Sequence, residues 1–377
     1  MKKPKFSTVF INKLLGTLLV LMLFTPVKCD PKPSSDRTTA FRRAMSLDNG
    51  VSISWLEQTW NNDILDKKAI KVSDLKLLKQ LGFKSIRLPV AFAHFQNDDN
   101  SMQKILGHID ETLGLCRLYG FKLIICYHSG NLNDDNYLAE TQKVMSLWTM
   151  LAEKYIRENP DNLFFEIYNE PPHMDPEKWN YAAYNIVKTI RQIDKNRTLI
   201  VGASNYNSIY ELSRTVPMAD DNVIYTYHFY EPFFFTHQGA EWIGDQVSTT
   251  GVPFPYDANN WPPLNPKAKG TAGEANYDKY NRDGNEQSVR DKLQIVKDWA
   301  QKYDLPILCG EYGVYNKYAD LNSRCRYIKA VRQTLKALNM PGMLWDYNSN
   351  FSIFDGEPAV TNLPDCMKDA IGYSGKK

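Results

Sequence analysis

Eight short apolar runs, separated by stretches of helical periodicity, constrain the fold of this chain more than any other feature. The runs lie at 51–55, 84–88, 122–127, 163–168, 198–201, 223–227, 306–309 and 342–345. Helical patterns fall between them at 73–81, 102–119, 139–158, 176–193, 288–303 and 323–338. A short, weakly marked one lies near 208–213, and a last one at 364–371. Strands covered on both faces by helices read as near-continuous apolar runs. Eight of them with intervening helices predict a (β/α)8 barrel, the TIM-barrel architecture, as a single domain over 46–372. A doubly wound sheet shares the alternation, but no glycine-rich phosphate loop follows the first run, which disfavours a nucleotide-binding version. Residues 30–45 read as a linker and 373–377 as a tail. One connection is unusually long. From Tyr230 to the helix starting near Ser288 the chain is rich in Pro, Asn, Gly and aromatics, and such a loop is usually functional. Phe233, Phe234, Phe235, Trp242 and Trp261 in it either line a cleft or pack the loop onto the barrel.

The first 29 residues read as a targeting segment. Lys2, Lys3, Lys5 and Lys13 precede an apolar run at 14–24 that is short for a bilayer span. Cleavage before Asp30 predicts export to the periplasm, the cell surface or the medium, and an uncleaved anchor is the alternative. Losing this segment removes five lysines and no acid, which turns a formal charge of +2 slightly acidic. No basic patch for nucleic acid remains. The cysteines left behind (Cys116, Cys126, Cys309, Cys325 and Cys366) are odd in number and scattered, unlike a disulfide framework. Cys126 and Cys309 sit in apolar runs as buried thiols, and a bridge between Cys325 and Cys366 is an open option. Neither CxxC nor HExxH occurs, so no metal site or cofactor is expected.

Two runs end in glutamate. Residues 163–172 read Leu-Phe-Phe-Glu-Ile-Tyr-Asn-Glu-Pro-Pro, and residues 306–313 read Pro-Ile-Leu-Cys-Gly-Glu-Tyr-Gly. A barrel gathers its site at the carboxyl ends of its strands, so Glu170 and Glu311 would meet there. Two facing carboxyl groups are what cleavage of a glycosidic bond needs. Other strand ends add Arg87, His128, Asn169, His228, Tyr230 and Trp345 to the same rim. Singly, each has a plainer reading: Arg87 as the partner of a buried acid, a histidine as a bonded core residue, Trp345 as packing. Glu166 shares strand parity with Glu170 and reads as the structural partner of Arg87.

Taken together, these residues resemble glycoside hydrolase family 5, over roughly residues 51–345. Asn169-Glu170-Pro171 and a glutamate closing the seventh strand are shared by a large clan of retaining barrel glycosidases. Arg87, His128, His228-x-Tyr230 and Trp345 narrow the resemblance to the family. It implies that Glu170 is the general acid/base and Glu311 the nucleophile. Arg87 and Tyr230 would keep Glu311 ionised, and Asn169 would bond the sugar 2-hydroxyl. His128 and His228 would wall the subsite, and Trp345 would be the stacking platform. Two departures from the family pattern are the serines of 51–54, where an asparagine is frequent, and Cys126-Tyr127 before His128.

The resemblance implies a cellulase-like endo-β-1,4-glucanase acting with retention on a β-linked polysaccharide. It would be a monomer with no obligatory protein partner and no cofactor. A β-1,3-glucanase, a mannanase, or a glycosidase of oligosaccharides or glycoconjugates is the alternative within the family. A non-catalytic carbohydrate-binding barrel is the alternative outside it. A metal-dependent barrel hydrolase would want a His-x-His after the first strand, which is missing.

Overall fold

In the computed structural model, eight parallel strands close into a barrel in simple sequence order, with β1 pairing both β2 and β8. They are β1 Gly50–Ser52, β2 Ser85–Val90, β3 Lys122–Tyr127, β4 Leu163–Glu166, β5 Leu199–Val201, β6 Val223–His228, β7 Ile307–Tyr312 and β8 Gly342–Leu344. The structure describes Met1 and residues 35–375, except positions 58, 60–64, 67–69, 96 and 97. The targeting segment beyond Met1, positions 30–34 of the expected linker and 376–377 of the tail lie outside the described residues. Among the described residues no helix is long and apolar enough to cross a membrane.

The helices form where their signals are strong. Pro176–Ile193 starts behind Asp175, whose carboxylate accepts from the Glu177 amide, with proline in the first turn. Trp179, Ala183, Ile186 and Ile190 then recur on its buried face. Asp99–Tyr119 is capped by Asp98 and ends at Gly120 in the left-handed conformation (φ 74°). Burial of these apolar faces against the outward side chains of the strands forms the main core.

The expected linker is instead helical from Ser35 onward, as the helix Ser35–Ser46. Its polar composition hid its role, because it contacts the barrel through arginines as well as apolar groups. Arg43 is buried and donates to Asp161 (2.7 Å), the Asn196 carbonyl (2.8 Å) and Thr198 (2.8 Å). Arg37 pairs with Asp221. Ala44 and Leu47 cluster with Ile124, Phe164, Ile200, Ile224, Leu308 and Met343. Those six share inward strand parity, so the helix plugs the amino end of the barrel with apolar side chains.

Strand limits move where the site begins. β1 stops at Ser52 and β4 at Glu166, short of the expected 55 and 168. β7 runs on to Tyr312, with register shifts between Tyr227 and His228 against β6 and between Cys309 and Tyr312 against β8. The long connection after β6 carries its own helix, Ala272–Asp283, where the sequence predicts only loop. Phe234, Trp261, Tyr277 and Tyr280 interlock within it, Trp261 stacking on Tyr280 at 5.1 Å. Cys325 and Cys366 form a disulfide that ties the helix Leu321–Ala337 to the last helix, Asp365–Ile371. Cys116, Cys126 and Cys309 are buried free thiols.

Candidate active site

Arg87 organises the floor of the carboxyl-end cleft. Strand parity aims it inward from β2, and it is wholly buried. Its Nε and Nη2 donate to the two oxygens of Glu166 at 2.7 and 2.9 Å, a bidentate pair. Its Nη1 donates to Glu311 Oε1 at 2.6 Å, and Nη2 also reaches Asn169 Oδ1 at 2.6 Å. Glu166 is therefore the structural partner expected of it. Cys126 Sγ lies 3.3 Å from Nη2, which accounts for a small side chain before Tyr127.

Glu311 does not reach the cleft by simple alternation. Leu308 faces the axis, so Gly310 shares its parity and Glu311 would point at the helices. The register shift against β6, where His228 pairs with Glu311, turns the carboxyl inward. Gly310 lets this happen: a Cβ there would lie 2.5 Å from Thr226 Oγ1 and 3.3 Å from the His228 ring. Tyr230 donates its hydroxyl to Glu311 Oε2 at 2.7 Å. Burial lifts the Glu311 carboxyl above its ordinary pKa. The charges of His228 and Arg87 and the Tyr230 hydrogen bond oppose that lift, while Glu170 adds to it.

Glu170 follows the end of β4 and is more open than Glu311, with 32 % of its side chain exposed against 5 %. Its Oε1 lies 2.6 Å from His228 Nδ1, which is itself 3.4 Å from Glu311 Oε2. The closest oxygens of the two glutamates and the imidazole nitrogen all fall within 4.8 Å of one another. Burial works against a charged His228, but Glu311 and Glu170 outweigh it and raise its pKa. Burial, with Arg87 and His228, holds His128 well below its ordinary value. His128 lies parallel to Trp345 at 5.7 Å, and the Arg87 guanidinium sits 5.9 Å from that indole. Among the described residues this glutamate–histidine trio is the one group tight enough for a metal ion, yet Arg87 already balances Glu311 there.

The sequence-predicted residues thus share one cleft: Glu170, Glu311, Asn169, His128, Tyr230 and Trp345 line a cavity of about 300 Å³. Arg87 lies beneath it and His228 beside it. A second cavity, of about 770 Å³, opens from Glu170 and is lined by Tyr206, Tyr210, Phe233 and Trp242. The insertion aromatics therefore divide. Phe233 and Trp242 face the cleft, while Phe234, Phe235 and Trp261 pack the insertion.

Sequence reasoning missed three supporting residues. His237 packs edge-on to Tyr230 at 4.9 Å and is pulled down to about 3 by burial. Asp346 is buried beside Trp345, accepts from Ser54 and Ser349, and is lifted to about 6 by burial. Ser54, one of the unexpected first-strand serines, is thus a support for the eighth-strand end. The signal for Asp346 was its place directly after Trp345. Asn207, after β5, donates to the Asn169 carbonyl and had no sequence signal at all.

The family model for cellulases, glycosyl hydrolase family 5, matches residues 45–351. Over 363 residues the chain is 29 % identical to Endoglucanase 3 of Fibrobacter succinogenes, covering 88 % of this chain and 53 % of that one. It therefore spans about half the length of that relative. It is 30 % identical over 313 residues to Endoglucanase C of Acetivibrio thermocellus, covering 78 % of this chain and 89 % of that one. The crystal structure of an endoglucanase from the hyperthermophile Thermotoga maritima superposes with a TM-score of 0.72 at 26 % identity, over 88 % of this chain and 99 % of that one. That protein has been solved with cellobiose and with mannotriose.

Proposed function

This chain belongs to glycosyl hydrolase family 5, a family of O-glycosyl hydrolases, and from that premise we propose that it is a retaining, endo-acting β-1,4-glucanase. Glu311 is the nucleophile and Glu170 the general acid/base. The observation that carries the reading is the separation of the two carboxylates, whose nearest oxygens lie within 4.8 Å. Retaining enzymes hold the pair about 5–5.5 Å apart, and inverting ones about 6.5–9.5 Å, to admit a water.

In the first step Glu311 attacks the anomeric carbon, the bond to the leaving oxygen breaks, and Glu170 gives that oxygen its proton. In the second, Glu170 takes a proton from water, the water oxygen attacks the same carbon, and Glu311 departs. Two inversions leave the configuration retained. Arg87 and Tyr230 hold the charge on Glu311 before attack and after release. Asn169, its oxygen engaged by Arg87, offers its amide nitrogen to the sugar 2-hydroxyl. Trp345 and His128 supply the face and wall on which the reacting sugar rests. The 770 Å³ cavity opens on the Glu170 side, where the leaving group departs, and lies within the roughly 300–1,000 Å³ of ordinary ligand sites. A polysaccharide running through both cavities favours internal cleavage.

A mannan or a short oligosaccharide is the second reading, favoured by Trp242, which lines both cavities and narrows the cleft. A binding-only barrel would have no need of Arg87 and Tyr230 on Glu311. Export is part of the proposal and is supported by the lysine-led apolar run at 14–24 and by the Cys325–Cys366 bridge, which belongs to an oxidising compartment.

The test is reducing-sugar release from carboxymethyl-cellulose, barley β-glucan, xyloglucan, mannan, xylan and laminarin, with the product anomer followed by NMR. We expect activity on β-1,4-glucan with the β-anomer appearing first. Glu311→Gln should abolish it, and Glu170→Gln should cost roughly 10²–10⁴-fold. Full activity in either variant, or the α-anomer first, would overturn the assignment.

A further inference from the structure

After β5 the chain enters Gly202-Ala203-Ser204 and then places Asn205, Tyr206 and Asn207 in succession in the left-handed region, at φ 57°, 60° and 55°. The left-handed region costs Tyr206 about 1–2 kcal/mol and the two asparagines less, and three such residues in a row persist only where the surroundings impose them. The surroundings here are the loop that carries Glu170. The Asn205 and Tyr206 amides donate to the Pro172 and Pro171 carbonyls at 2.9 and 2.8 Å.

The third member, Asn207, is completely buried. Its side-chain nitrogen touches the Asn169 main-chain oxygen. A carbonyl oxygen only accepts, so the end of the amide that meets it is the NH2 group. The other end packs on Gly202, where even a Cβ would lie 1.6 Å from Asn207 Oδ1. The same NH2 nitrogen is 3.4 Å from His228 Nε2. An amide nitrogen donates and does not accept, so in the neutral ring the nitrogen facing it carries the lone pair.

We infer that Asn207 is a positioning residue for proton donation, its amide fixing His228 as the Nδ1–H tautomer, so that His228 donates to Glu170 and cannot accept Glu170's proton. The inference rests on Glu170 being the acid. Glu170 Oε1 is held at 2.6 Å by Nδ1–H, and the acidic proton is left on the other oxygen, free for the leaving group. In the opposite tautomer, bare Nδ1 would draw that proton into a side-chain bond. His228 faces Glu170 after β4, Glu311 on β7, Arg87 on β2 and His128 just after β3. The two carboxylates favour an imidazolium. Arg87, His128 and the Asn207 NH2 oppose it, the last because a cation would set Nε2–H against N–H.

Without Asn207, His228 charges more readily. A cation beside Glu170 stabilises its carboxylate over the proton-bearing acid, so the basic limb of the kcat/KM profile moves to lower pH. The variants are Asn207→Gly, which keeps the left-handed backbone, and Asn207→Asp, which matches its shape but accepts where the amide donated. The substrates are phenyl β-cellobioside, whose leaving group needs the acid, and the 2,4-dinitrophenyl analogue, which does not. In the full chain, 15N NMR of labelled histidine, assigned through His228→Gln, reads the tautomer directly. We expect the neutral form of wild-type His228, read on the alkaline side of its raised titration, to carry its proton on Nδ1. In both variants we expect kcat/KM on the phenyl substrate to fall by about 10–100-fold, part of the roughly 10²–10⁴ due to a general acid, while the dinitrophenyl substrate stays near wild type. A neutral wild-type His228 with its proton on Nε2, or equal losses on both substrates with an unmoved pH profile, overturns the inference. Glu170→Gln separates the two readings. If it too is blind to the leaving group, the acid assignment falls. If it is selective and the Asn207 variants are not, only the inference falls.

Discussion

Arg87 and Tyr230 show how a buried charge can serve both stability and chemistry. Arg87 meets Glu166, Glu311 and Asn169 at once with no exposed surface. Lysine has one point charge and cannot reproduce the fork. Arg87→Lys should therefore destabilise the protein by about 3–5 kcal/mol, because it leaves Glu166 poorly paired in the interior. Urea unfolding of the variant checks this. Tyr230→Phe acts differently. The Tyr230 hydroxyl lowers the Glu311 pKa, so its removal raises that pKa, and the nucleophile then protonates at higher pH. The acid limb of kcat/KM should move upward in pH while the folded state is little changed. An unmoved acid limb would mean that this hydrogen bond does not tune Glu311. Glu170 and Glu311 were legible because each closes an apolar run. Asn207, His237 and Asp346 were not, because a left-handed turn, an insertion and a post-strand turn carry no periodicity to read.

At the scale of elements, two attachments hold the barrel ends. The helix Ser35–Ser46 covers the apolar amino-end layer and is pinned by Arg43. Arg43→Ala should cost about 2 kcal/mol, since it removes a buried charged donor shared by Asp161, the Asn196 carbonyl and Thr198. A chain starting at residue 47 should be largely insoluble where one starting at 35 is soluble, and expression of the pair tests it. The Cys325–Cys366 bridge closes a loop of 41 residues. On the chain-entropy account this is worth about 4 kcal/mol. Cys366→Ser should lower the melting temperature under oxidising conditions and leave kcat/KM intact, because the bridge lies on the helical shell. Equal melting temperatures for the variant and the wild type would show that packing of the last helix suffices. The sequence leaves this pairing open, since five scattered cysteines contain no rule for choosing partners.

At the scale of the whole molecule, the insertion after β6 decides what kind of polymer the barrel can hold. Its aromatic interior makes it a rigid wall, and Trp242 projects from that wall with 55 % of its surface exposed. Trp242→Ala should raise KM for cellotetraose and longer chains by roughly tenfold, in line with about 1–1.5 kcal/mol for a lost aromatic contact. A cellobioside with a small leaving group should be unaffected, and KM measured along a cellodextrin series separates the cases. The sequence by itself determined the eight-strand alternation, the presence of a glutamate pair and their arginine, and a long aromatic connection. Those are patterns of neighbouring residues, and local propensity with hydrophobic period is enough to set them. Only the tertiary structure decided that Glu311 turns inward at a bulge, that the carboxylates stand within 4.8 Å, that a polar stretch becomes the barrel plug, and that Asn207 touches His228. Each depends on the register in which distant strands close the ring, and register is settled by packing across the barrel.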